Sequence, residues 1–572
     1  MSANRITRHF ASIATGRWGA RQVHYRRAGS GPVVILFHQS PLSSRDLLPT
    51  IERWQAHFTC IAPDSPGFGL SDPLGVGEAQ MQDFAEAAIE FMDALGIDRA
   101  AVYGFHTGAM ISAAIAAAFP QRIVCAAANG YVMLAEAEKA EIVRHYLPPF
   151  TPAWDGSHLT WLWSRMREQT IFFPWYAKSL ANRLQVDVPP PEVLHRGLLD
   201  FMRSGDHYRV GYRAAFVMRS DLALRDAETP VLVTAYATDV LAAHLPRIRH
   251  RSPSVTVQAG GSVEQTLDLC RDYIKRHEPP QPPRGVAPAA DLAGRLRQDY
   301  VDLGNAQLRL RRNDDAAGRP VLLLHDALGS SETVAAIAGG FIGKRPVIAL
   351  NLPGHGESDD TLPRGKPSVA AYARAVDAAL AALGASAVDV VGVGVGALIG
   401  LELARQNRPR VNALVMTGVA FVDEPLAEQL AGQIAPAIAP DWFGGYLLHA
   451  WHVVRDQALF WPWYDRRGSA AIRQEPQVDP LHVQQRVLEL FRSDGTWRRA
   501  LHAQFSYPLH TRLAAALERD RLPVILAASD LDPQRDGMWR AAADLPLAHH
   551  ALLPDAEGKW AAALLPFLDG RH

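Results

Sequence analysis

Short unbroken apolar runs alternate with longer alanine-rich stretches along this chain. The runs include Val33–Phe37 (VVILF), Cys60–Ala62 and Ala101–Tyr103; the stretches include Gln82–Leu95 and Met110–Phe119. A strand covered on both faces has no wet side and reads as a continuous apolar run, whereas a helix needs a longer stretch to bury one face. Their alternation predicts a mostly parallel sheet with flanking crossover helices, the α/β class. From roughly residue 135 to 220, and again from about 423 to 510, the pattern changes to tryptophan-rich helix. An inserted helical cap over the sheet is expected there.

The whole pattern occurs twice. Arg167–Tyr176 (REQTIFFPWY) returns as Arg455–Tyr464 (RDQALFWPWY), and LLDFMRSGDHYR from Leu198 as LELFRSDGTWRR from Leu488. His38 follows VVILF as His325 follows VLLL, and DSPGFGLSD from Asp64 matches NLPGHGESD from Asn351. Trp175 and Trp463 stand 288 residues apart, and the other pairs keep that spacing within two residues. Four matches in one order at one spacing mean duplication. Between the copies lies Pro279–Pro288 (PPQPPRGVAP), too rich in proline for helix or sheet. The expected organisation is therefore a domain over 1–278, a linker over 279–290 and a second domain over 291–572.

Composition narrows the partners. A chain of 572 residues exceeds one hydrophobic core, and 48% hydrophobic with 20% charged residues is ordinary globular content. A net charge of −1 supplies no field for nucleic acid or an anionic membrane. The three cysteines, Cys60, Cys125 and Cys270, have no CxxC or Cys/His spacing, so neither a disulfide framework nor a metal site is expected. No apolar run approaches the ~20 residues of a membrane span, and the N-terminus has no signal-peptide core. The expectation is a cytoplasmic protein with a small-molecule substrate and no cofactor. Homo-oligomerisation stays open.

Strand–His38-Gln39-Ser40-Pro41, then Asp64-Ser-Pro-Gly-Phe-Gly-Leu-Ser-Asp72, then strand–Gly104-Phe-His-Thr-Gly108–helix, resembles the α/β-hydrolase superfamily over nearly the whole chain, once per half. In that family a G-x-S-x-G turn between strand and helix lifts a nucleophile into the pocket. Here the flanking glycines stand but the centre is His106, and in the second half Gly394 within Gly392–Gly396. The resemblance implies an acid after a late strand, which Asp239 and Asp532 fit. It also implies a Gly-His loop after the last strand, where the sequence has Gln258–Ser262 in one half and Pro554–Gly558 in the other. Both serine nucleophiles and both histidine bases of the Ser-His-Asp triad are thus gone. Gly392-x-Gly394-x-x-Ala397 also matches a dinucleotide fingerprint, but no suitable acid follows about twenty positions on, so it reads as an elbow.

In the first half the loss reads as an exchange, histidine for serine at the elbow and Ser262 for histidine in the loop. An imidazole on the elbow fills the space of the missing one and reaches Asp239, with the small Ser262 making room. A carboxylate fixes the tautomer of a histidine and raises its basicity, as general-base chemistry needs. His106, Asp239 and Ser262 are accordingly the expected catalytic residues. Family geometry implies oxyanion donors at Thr107 and at Gln39 or Ser40. His38, Trp175 and Tyr176 are expected to touch substrate, the FPWY stretch serving equally well as plain core. The expected function is hydrolysis of a small ester, lactone or carbonyl-flanked carbon–carbon bond by His-assisted water activation. A cofactor-free lyase or isomerase using the same base, and a non-catalytic binding or scaffolding pseudohydrolase, are the alternatives. Gly394 and Gly558 leave the second half with neither nucleophile nor base, so it is expected to be non-catalytic and Asp532 structural.

Overall fold

The computed structural model describes residues 5–283, 285 and 289–570. The contacts divide the chain into two compact units. One comprises residues up to Thr151 and from His158 to Ala290; the other comprises Pro152–Ser157 and the chain from Asp291 onward.

The first unit holds one eight-stranded sheet built from β1 (Thr7–Ile13), β2 (Arg21–Ala28), β3 (Val33–Phe37), β4 (Thr59–Pro63), β5 (Ala100–Phe105), β6 (Ile123–Asn129), β7 (Val231–Thr234) and β8 (Val255–Val257). Their order is β1-β2-β4-β3-β5-β6-β7-β8. β1 and β2 run antiparallel to their neighbours, and every pair from β4 onward is parallel. The run VVILF shows why a doubly covered strand is apolar throughout. Val33, Ile35 and Phe37 point into the core formed with the helices Met81–Ala94 and Thr107–Ala118. Val34 and Leu36 point into the opposite core, with Trp54, Leu267 and Ile274 of the helices Leu48–Trp54 and Val263–Arg276.

The second unit repeats the plan with β9 (Arg297–Asp302), β10 (Gln307–Asn313), β11 (Val321–Leu324), β12 (Val347–Leu350), β13 (Val388–Val393), β14 (Val411–Thr417), β15 (Val524–Ser529) and β16 (His549–Leu553). The order β9-β10-β12-β11-β13-β14-β15-β16 is the same permutation. The two opening strands of each sheet, such as Arg21–Ala28 (RQVHYRRA), carry charged side chains where the inner strands are apolar. Arg21 is 2% exposed and pairs with Glu90 at 2.5 Å.

Between β6 and β7 the chain leaves the sheet for five α-helices, from Glu136–His145 to Ser220–Arg225, and between β14 and β15 it does so again, from Glu424–Gln433 to Leu509–Glu518. These are the tryptophan-rich stretches of the sequence. Within Pro279–Pro288 the described residues form neither helix nor strand, and Arg284 and Val286–Pro288 lie outside the described residues. The Pro280 carbonyl accepts the Val33 N–H at 2.8 Å, which ties the start of this stretch to the first unit.

Candidate active site

Parallel strands end together, and the loops leaving β3, β5, β6 and β7 converge at one edge of the first sheet, where open α/β sheets bind ligands. β3 delivers His38, Gln39 and Ser40; β5 delivers His106; β6 delivers Gly130; β7 delivers Asp239. Between β5 and its helix the chain turns too tightly for side chains on either flank. A Cβ on Gly104 would lie 1.9 Å from the Gly108 carbonyl oxygen, and one on Gly108 would lie 2.1 Å from that of Phe37. The residue between them is forced into the left-handed half of backbone space, His106 at φ 50° and ψ −109°. Such conformations cost about 1–3 kcal/mol for a residue with a Cβ and persist where the surroundings impose them.

From that elbow the His106 Nε2 lies 2.8 Å from Asp239 Oδ2. The other carboxylate oxygen, Oδ1, accepts the Leu241 N–H at 2.8 Å. Burial pushes the Asp239 carboxyl up, but His106 and the Leu241 amide outweigh it and hold the group below the usual carboxylate range. The imidazole rests against Phe105, centroids 4.1 Å apart, and Phe105 stacks on Tyr236. With Nε2 engaged by the carboxylate, Nδ1 has no protein hydrogen bond among the described residues.

The pair opens on a cavity of about 410 Å³. Leu42, Val132 and the insertion residues Ile142, Tyr146, Met166 and Phe173 make most of its wall apolar; Gln39, Thr107, Asp239 and His244 bring polar groups to it. Thr107 opens the helix Thr107–Ala118, so its N–H has no carbonyl one turn back to donate to. Gln39 donates through Nε2 to Asp46 at 3.1 Å, and the Ser40 N–H meets Thr107 Oγ1 at 3.4 Å. Burial pushes the Asp46 carboxyl up.

Other expected residues stand elsewhere. Ser262 does not make room for the imidazole. It is exposed and caps the helix Val263–Arg276, its Oγ accepting the Gln265 N–H at 3.2 Å. The residue that makes room is Gly130, at φ 74°, where a Cβ would fall 2.3 Å from His106 Cδ2 and 3.1 Å from Asp239 Oδ2. His38 is a strut rather than a substrate contact. Its Nδ1–H donates to the Gln39 carbonyl at 2.8 Å and its Nε2 accepts the Ser65 N–H at 2.9 Å, so it is neutral and fully engaged. Trp175 and Tyr176 do not line the cavity. The Trp175 indole covers Arg165, whose Cζ is 4.9 Å from the ring, and Tyr176 packs on His145. Phe173, two residues before Trp175, reaches the cavity instead.

Sequence reasoning passed over His244, which lines the cavity, accepts the Met133 N–H at 3.0 Å and is pushed by burial down to about 4. Only its place five residues after Asp239 could have flagged it. Among the described residues no cluster of three His, Cys, Asp or Glu is set to hold a metal, and no helix is long and apolar enough to cross a membrane.

A strained elbow at the end of the fifth strand, an acid after the seventh and a helical insertion beside them define an α/β-hydrolase site in its geometry. The family comparison agrees: the alpha/beta hydrolase fold matches residues 32–185 and again 319–453. The chain belongs to that family, and carries its fold twice. Haloalkane dehalogenase 2 of Mycobacterium tuberculosis is 38% identical over 106 residues, 18% of this chain and 36% of that protein. The (E)-2-((N-methylformamido)methylene)succinate hydrolase of Acinetobacter baylyi is 28% identical over 125 residues, 22% of this chain and 47% of its own length. The chain thus spans less than half of either relative. Among solved structures, E-2-(acetamidomethylene)succinate hydrolase aligns over 48% of this chain and 99% of its own, at 20% identity and a TM-score of 0.35.

Proposed function

We propose that the first domain is a hydrolase for a small organic ester, lactone or carbonyl-flanked carbon–carbon bond, with His106 activating water directly. The observation that carries this reading is the 2.8 Å contact of His106 Nε2 with Asp239 at the wall of the apolar cavity. Asp239 is a positioning residue that fixes the tautomer, and Nδ1 is the base. It takes a proton from water as the water oxygen attacks the substrate carbonyl. The Thr107 and Gln39 backbone N–H groups donate to the carbonyl oxygen as negative charge develops on it. Collapse of the tetrahedral species expels the leaving group, which takes the proton back from Nδ1. With no Ser, Cys or Asp on the elbow, the route has no acyl-enzyme. One relative is named as a hydrolase of a substituted succinate and another as a haloalkane dehalogenase, and the first of these names supports the reaction class. The cavity volume lies in the range of small-ligand pockets, and its wall favours an apolar or aromatic body behind the scissile carbonyl.

The test uses p-nitrophenyl esters and lactones of graded apolar size. Wild type is expected to turn over without a product burst, and His106→Ala to lose at least about a hundredfold, the usual share of a general base. Undiminished turnover in His106→Ala, or a stoichiometric burst, overturns the proposal. Binding of these compounds with no turnover at all favours the non-catalytic pseudohydrolase.

A further inference from the structure

We propose that the cavity of the second domain binds a small protonated amine or nitrogen heterocycle on a flat apolar body, with the Asp532 carboxylate as its counter-ion. The comparison of the two copies points to it. Asp239 and Asp532 sit in matching loops after β7 and β15, and each gives one oxygen to a backbone amide two residues on, Leu241 or Gln534, at 2.8 Å. In the first domain the second oxygen meets an imidazole. In the second the elbow residue is Gly394, in nearly the same backbone conformation (φ 54°, ψ −123°), and it brings no side chain. Among the described residues Asp532 Oδ2 then accepts only the Gly418 N–H, at 3.0 Å, and a carboxylate oxygen has capacity for a second donor. Asp532 makes no ion pair among the described residues.

Gly394, Gly418 and Asp532 all face a cavity of about 240 Å³, together with Trp461, Trp463 and Phe505. Its other carboxylate, Asp326, is already neutralised by Arg486 at 2.5 Å. Arg535 acts on Asp532 through space but is itself paired with Asp530 and Asp536, so Asp532 is the cavity carboxylate without an ion pair among the described residues. Burial pushes that carboxyl up, whereas its twin beside His106 is held down, so a cation supplied from outside has an incentive to settle there. Indole rings favour cations through their quadrupole, and a volume below that of drug-sized pockets sets the ligand small.

The probe is benzylamine, titrated calorimetrically into the full chain at pH 7, with benzyl alcohol and benzoate as neutral and anionic counterparts. Benzylamine is expected to bind at least about tenfold more tightly than either. Asp532→Asn should weaken it about tenfold or more. Gln534→Lys places a tethered ammonium beside Asp532 with the backbone amide kept, and should do the same, which decides the matter if Asp532→Asn folds poorly. Benzyl alcohol binding as tightly as benzylamine, or an affinity unchanged in the folded variants, overturns the proposal.

Discussion

An imidazole at position 106 is usable only because its neighbours yield to it. The ring swings over Gly130, and a methyl at that position would strike Cδ2 as well as strain a backbone at φ 74°. Gly130→Ala is therefore expected to fold and to lower kcat by about tenfold or more through misplacement of the ring, as small displacements of catalytic groups do. Steady-state kinetics with far-UV circular dichroism as the folding control measure it, and full activity would show that the ring position is immaterial. Asp239→Asn tests the other side of the same contact. An amide in place of the carboxylate can present its NH2 to Nε2 and turn the tautomer. A fall of about a hundredfold, ~2.7 kcal/mol in the barrier, is expected with KM little changed. A KM effect alone would mean that Asp239 binds rather than positions.

Among elements, the loops keep their backbone while their side chains change task. The elbow has one conformation in both domains, with histidine in one and glycine in the other. The histidine after the third strand keeps even its hydrogen bonds. His325 repeats His38, with Nδ1 on the Asp326 carbonyl at 2.7 Å and Nε2 accepting the Leu352 N–H at 2.9 Å. This residue therefore splints two strand ends in both domains, although their elbows differ. Ser262 belongs to the same scale. As part of a capping box with Gln265 it satisfies the first turn of the helix Val263–Arg276. Ser262→Ala should cost about 1 kcal/mol of stability in urea unfolding. A loss of turnover beyond the loss of folded protein would return Ser262 to the site.

At the scale of the molecule, burial holds several histidines neutral, His38 and His355 among them. His195 and His244 are pushed down to about 4 and His325 to about 3. The unfolded chain takes up these protons near pH 6.5, where the native protein does not. Since the unfolded state then binds more protons, stability rises with pH across this window. It is fully present above about 6.5 and is lost as the pH falls toward 4. Melting temperatures measured from pH 7.5 to 4.5 should decline below about 6.5, in both domains, because His244 and His325 lie in different ones. A flat profile would mean that these rings are solvated. Two domains also mean that such melts need not be two-state.

The α/β class, the duplication and the elbows were legible in the chain itself, because a parallel strand buried on both faces must be continuously apolar and a tight strand–helix turn must be flanked by glycine. The charged opening strands were not legible, since their burial depends on partners such as Glu90 far along the chain. The pairing of His106 with Asp239 could be argued from the missing loop histidine. Which small residue admitted the ring could not, because Gly130 and Ser262 are equally small on paper. Only the tertiary arrangement decides that Gly130 faces the imidazole while Ser262 caps a helix. The same holds for the aromatic motif, whose residues differ in direction around a bend. Phe173 enters the cavity while Trp175 covers a buried arginine. Sequence periodicity reports which residues leave water; it carries no record of which of two interiors, core or cavity, each side chain turns toward.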